Sequence, residues 1–118
     1  AIAEIALRPE RRDAMLARIR ADSFANLQML SDFIETNPKL SWNAPQGGLI
    51  GLVRLHGGAA LTGDALAARA LESPWRTFLI SGSHYGAPHH IRLGVGGGRA
   101  ANLQAGLERL ADVLDGFD

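Results

Sequence analysis

The 118-residue sequence contains no cysteine, which removes disulfides, thiolate metal sites and cysteine nucleophiles together. That absence fits a reducing compartment, and a cytoplasmic protein is expected. Lysine is nearly missing as well: Lys39 stands alone beside eleven arginines. Twelve acidic residues cancel the twelve basic ones, so no cationic excess points to nucleic acid or to an anionic membrane surface. The longest uncharged apolar run, Gly47–Val53, is far too short to span a bilayer, and no signal-peptide pattern opens the chain.

What remains is ordinary for a folded domain. Apolar residues make up 47% and charged residues 20%, which suits one domain burying roughly two-thirds of the surface its unfolded chain exposes. The opening "AIAEIAL" begins at Ala1 and already reads as helix, so we expect a piece of a longer protein.

Apolar periodicity and punctuation then divide the chain. Pro9 marks a helix start, and Leu16, Ile19, Leu27, Leu30 and Ile34 form one stripe, with Ser23 filling its gap, until Asn37-Pro38 stops it. Arg8, Arg11 and Arg12 oppose the helix macrodipole at that start, which leaves the boundary open. "LSWN" and "GGLIGLVRL" read as strands on either side of a Pro45–Gly48 turn. Thr62 can cap a short helix through Leu71. The β-rich "WRTFLI" (Trp75–Ile80) predicts a strand between Pro74 and Gly82. "SGSHYGAP" reads as a loop and "HIRLGV" as another strand. In the last helix Leu103, Leu107, Leu110 and Leu114 share a face, with Glu108, Arg109 and Asp112 outside. The expected architecture is α+β: a small, mostly antiparallel sheet of three or four strands covered by helices.

Several patterns resemble chemistry without completing it. Gly94-Val95-Gly96-Gly97-Gly98-Arg99 lies between strand and helix, where a dinucleotide fingerprint belongs, yet Arg99 takes the third glycine position and no second parallel strand follows. Gly58–Gly63 has the glycine spacing of a phosphate loop, but Asp64 stands where lysine is needed. His84, His89 and His90 have no carboxylate at a useful spacing, and adjacent strand residues face opposite ways, so no metal site is expected. Ser81, Ser83 and His84 lack the strained elbow of a nucleophilic serine. Arg92 is the outlier. A permanent planar cation inside a core-forming strand is either exposed, tied in a structural ion pair, or aimed at an anion that fits its fork.

Taken in order, "SWNAPQGGLIGLVRL", a short helix, "WRTFLISGSHYG", "HIRLGVGGG" and "LQAGLERLADVL" resemble the C-terminal small domain of fold-type I pyridoxal-phosphate (PLP) enzymes, the class I/II aminotransferases. The segment "RIRADSFANLQMLSDFIE" is similar to the long helix joining the large domain to the small one, here 9–36. The resemblance covers essentially all of residues 1–118 and implies that the large, cofactor-binding domain lies outside this sequence. It implies that Arg92 binds the α-carboxylate of an amino acid or 2-oxo acid, that Tyr85 walls the substrate side, and that Gly47 and Gly48 form the turn at the substrate entrance. It further implies PLP held by the absent domain, transamination by the parent enzyme, a homodimer, and no activity for this portion alone. Lys39, in a predicted turn, reads as a solvated surface residue and not as the cofactor-linking lysine. Ser81 departs from a frequent proline and Leu49-Ile50 from a frequent aromatic, which bears on loop rigidity and pocket shape. A lyase, a decarboxylase or a transcription regulator on the same fold is the sibling reading. A glycine-loop anion or nucleotide module and a ligand-free interaction domain stand further off.

Overall fold

A computed structural model describes residues 1–96 and 98–117. Its first helices start and stop at prolines. α1 (Ile2–Ala6) ends just ahead of Arg8, whose extended backbone is what a following proline imposes. α2 (Pro9–Thr36) takes Pro9 as its first residue, where no N–H is missed, and ends at Asn37, again extended before Pro38. Arg8, Arg11 and Arg12 are solvent-exposed, where water and ions blunt their repulsion from the helix terminus.

Only the C-terminal half of α2 packs. Asn26, Leu30 and Ile34 are buried, whereas Ile19 and Phe24 remain exposed. The 28-residue helix is about 42 Å long at ~1.5 Å per residue, and the whole molecule measures 52 × 28 × 26 Å. The expected stripe lacked its one polar core residue. Asn26 lies inside it, and its amide donates to the carbonyls of Val95 (3.1 Å) and Gly98 (3.2 Å), fastening the following loop to α2. A leucine there would strand those carbonyls without a donor.

Four strands form one antiparallel sheet, ordered β1 (Leu40–Trp42), β2 (Ile50–Leu55), β4 (His90–Gly94), β3 (Ile80–Ser81). Alternation along β2 is strict: Gly51, Val53 and Leu55 are buried, while Ile50, Leu52 and Arg54 are exposed. On the inner face Val53 and Ile91, paired across β2 and β4, join the core formed with Leu30 and Ile34 of α2, Leu66 and Ala70 of α3 (Gly63–Leu71), and Leu107, Leu110, Val113 and Leu114 of α4 (Ala100–Asp115). Each fully buried leucine contributes about 1.5–3 kcal/mol. Thr62 caps α3 as expected, accepting from the Ala65 N–H at 3.1 Å.

The strand expected over Trp75–Ile80 shrinks to Ile80–Ser81. Its backbone finds other partners: the Arg76 N–H donates to Glu72 O (2.9 Å) and the Thr77 N–H to Ala70 O (2.7 Å), both at the end of α3. Arg76, at φ 45°, turns the chain there. Trp75 packs against the core, with the Arg69 guanidinium 5.7 Å from its ring centroid. β-favouring side chains were present, but hydrogen bonding to α3 won.

Lys39 is not a solvated surface lysine either. Its ammonium donates to Leu114 O (2.8 Å) and also to Phe117 O, at the C-terminal end of α4. Arg69 donates to Gly116 O at 3.0 Å and lies 5.2 Å from the Phe117 ring centroid. Two cations thus satisfy carbonyls at the negative end of one helix dipole.

Candidate functional site

Arg92 owes its position to strand alternation. Ile91, its neighbour, is fully buried, so Arg92 faces the other way, onto the outer side of the sheet. There it lies directly between Leu52 of β2 and Ile80 of β3. Its Nη1 donates to the Tyr85 hydroxyl oxygen at 2.8 Å. Among the described residues no carboxylate pairs with it; the ion pairs found there join the Ala1 ammonium to Glu4 and Arg12 to Asp13.

A single turn of 3₁₀ helix, Gly82–Tyr85, delivers Tyr85 to this spot and ends at Gly86, whose φ of 72° lies in the left-handed region glycine favours. The turn packs closely on the start of β4, since a Cβ on Gly82 would lie 2.3 Å from Ala87 O and 2.7 Å from His90 O. Arg92 and Tyr85, with Ile50, Gly51 and Leu52, line an open depression of about 500 Å³. Ile50 is 49% exposed and Leu52 40%. The arrangement is a cationic fork on an apolar floor, with a phenol at its side. Such a fork matches a carboxylate through two parallel hydrogen bonds, stronger than neutral ones.

The other two residues implied as substrate-binding lie apart from this pair. Gly48, at φ 79°, makes the turn before β2 and borders a separate groove with Ile19, Phe24, Leu27 and Val95, on the α2 side. Gly47 borders neither hollow, and a Cβ on it would meet nothing within 4 Å. Gly51 was missed by sequence reasoning. Its bare Cα leaves room for the Trp42 ring, which a Cβ would approach to 2.7 Å. Only the alternation of β2 with Trp42 on the adjacent strand signals it.

The remaining motifs resolve into structure. The glycine-rich stretch 94–99 joins β4 to α4, held by Asn26; Gly97 of the dinucleotide-like pattern lies outside the described residues. Among the described residues, no three of His, Asp or Glu converge as metal ligands. Ser83 donates its hydroxyl to Asp64 (2.8 Å) and receives one from Ser81 (3.1 Å), so the serine hydroxyls run toward a carboxylate and not toward a histidine base. The Ser81 and then the Ser83 hydroxyl hold the Asp64 carboxyl below the usual aspartate range, aided by the charge of His84 and opposed by desolvation. A depressed folded-state pKa stabilises the fold above the ordinary value of about 4 and is lost as pH falls through the lower one. Thermal unfolding followed from pH 5 to pH 2 should therefore lose this contribution in the wild type below about pH 4, and Asp64→Asn should flatten that part of the acid limb.

No protein-family model and no curated protein matches the sequence. Solved structures do match. A PLP-dependent aminotransferase from Streptococcus suis 89-1591 is 25% identical, with a TM-score of 0.88 over 99% of this chain and 30% of its own. An alpha-aminoadipate aminotransferase from Thermus thermophilus, complexed with N-(5'-phosphopyridoxyl)-L-leucine, is 21% identical, with a TM-score of 0.79 over 98% of this chain and 30% of its own. The PLP-dependent cyclase OrfR is 27% identical, with a TM-score of 0.76 over 90% of this chain and 29% of its own. The chain thus spans about 30% of the length of the relatives it matches.

Proposed function

The chain has the fold of the small domain of PLP-dependent aminotransferases, and from that premise we propose that it is the C-terminal domain of an enzyme moving an amino group between an amino acid and a 2-oxo acid. Arg92 grips the substrate α-carboxylate. The observation that carries this reading is a guanidinium on the outer face of the sheet, on an apolar floor, with no carboxylate paired to it among the described residues. Fixing a carboxylate in that fork sets the direction of the bonds at the neighbouring carbon, so the arginine contributes orientation as well as affinity. Tyr85 supplies a wall of the same hollow, whereas the Gly47-Gly48 turn lies apart from it and carries no part of this proposal.

The residues of this chain do not fit covalent attachment of the cofactor. The sole lysine is engaged with the carbonyls ending α4. PLP is therefore assigned to a large domain outside this sequence, with 9–36 the helix joining the two. A cytoplasmic homodimer completes the proposal, with no part for nucleic acid or membrane; among the described residues no helix is long and apolar enough to cross a bilayer. A second reading follows from the likeness to a PLP-dependent cyclase: the same domain, still binding a carboxylate, serves an elimination, decarboxylation or ring-closing enzyme, because a fold does not dictate its reaction.

The test uses the intact protein purified with PLP. A visible absorbance band is expected, which an α-amino acid shifts far more effectively than the corresponding amine without a carboxylate. A colourless protein, or equal responses to both compounds, overturns the proposal. Conversion of an added 2-oxo acid to its amino acid separates the transaminase from the second reading.

A further inference from the structure

Resting on that reading, we infer that the Tyr85 hydroxyl is a working part of the carboxylate site: it holds the Arg92 guanidinium in place and adds a third donor for the same carboxylate. The 2.8 Å bond from Arg92 Nη1 uses one lone pair of the phenolic oxygen and leaves the phenolic proton free to turn toward an acceptor. Nη1 carries two N–H bonds and Nη2 two more, so donating to Tyr85 leaves a complete fork. A carboxylate, which only accepts when ionised, can take two hydrogen bonds from that fork and one from the phenol. A carboxamide presents its own donors to the same three groups and is rejected.

The hydroxyl matters before binding too. Arg92 is a long side chain with much rotamer freedom, and ordering it on binding would weaken affinity. The short path from Gly82 to Tyr85, fixed by the close packing of Gly82 on β4, sets the phenol where it restrains one end of the guanidinium. Phenylalanine at 85 would keep the wall and lose the restraint. Tyr85 is 55% exposed, so removing its oxygen leaves the core intact.

The experiment measures the inhibition constants of propionate and propionamide, with KM and kcat for the best of the twenty L-amino acids as donor. The intact enzyme is compared with Tyr85→Phe, Arg92→Ala and the double variant. Tyr85→Phe is expected to weaken propionate and raise KM about tenfold, the scale of one hydrogen bond to a charged group. Propionamide should be little affected and kcat should stay within about twofold, since the bond acts on binding. In the Arg92→Ala background the second substitution should cost clearly less, since the restraint on the guanidinium is gone and only the phenol's own hydrogen bond is lost. The inference is overturned if Tyr85→Phe leaves propionate binding within twofold, or if its loss is as large without Arg92 as with it. In either case an Arg92→Ala defect preserves the underlying reading. That reading fails separately if Arg92→Ala itself leaves propionate and KM unchanged.

Discussion

In the intact enzyme, Arg92→Ala is expected to raise the KM for the amino acid substrate by roughly 30- to 4,000-fold, from the loss of about 2–5 kcal/mol when a desolvated charge pair loses one partner. The range is wide because it depends on how completely the rest of the protein excludes water from the depression. Arg92→Lys should recover only part of the loss, since an ammonium is a point charge and cannot form the two parallel bonds. Stability provides the control. Arg92 is half-buried, has no carboxylate partner among the described residues, and lies outside the core. Unfolding of the alanine variant should therefore stay within about 0.5 kcal/mol of the wild type. A variant that binds substrate normally, or one that merely unfolds, contradicts the assignment of Arg92 to substrate.

The second large effect is structural. Gly63 opens α3 at the point where that helix meets β4 and the 3₁₀ turn. A Cβ there would lie 2.3 Å from His90 O, 2.6 Å from Ser81 Oγ and 3.2 Å from Gly82 N. Two of these are backbone atoms, which cannot swing aside, and the Gly63 N–H is itself bonded to Pro88 O at 2.7 Å. Gly63→Ala is expected to cost about 3 kcal/mol, the upper end for forcing volume into a packed site. Gly106→Ala is the opposite case. Gly106 lies within α4, a Cβ there meets nothing within 4 Å, and the substitution should stabilise by roughly 0.5–1 kcal/mol through helix propensity. Chemical denaturation of the two variants should give shifts of opposite sign for the same added methyl group.

Legibility in the sequence followed the range of the interactions involved. Pro9, Asn37-Pro38 and Thr62 mark their helix ends because caps and proline sterics act within a few residues. The leucine period of α4 marked its buried face for the same reason. Trp75–Ile80 misled because β-favouring side chains say nothing about which backbone will supply the hydrogen bonds. Lys39 and Asn26 were opaque: their partners lie 69 to 78 residues further along the chain. At the site, the strand containing Arg92 was readable but its outward face was not, because a shift of one residue exchanges the two faces. Tyr85 lay near enough to be suspected, yet its bond to Arg92 depends on the 3₁₀ turn, which no periodicity announced. Gly47 and Gly48 were readable as a turn, whereas the separation of the Gly48 groove from the Arg92 hollow appears only once α2 is in place.

One consequence of the two-faced strand β4 reaches beyond this site. Ile91 anchors the interior while Arg92, proposed above as the carboxylate-binding group, faces outward, so on that proposal a single backbone segment divides its duties between alternate positions. If the hollow is the carboxylate site proposed above, exchanges at 50, 52 or 92 would retune what the domain recognises while the residues that keep it folded stay untouched. Ligand preference can thus drift at little cost in foldedness, an economy that suits a module reused with different chemistries.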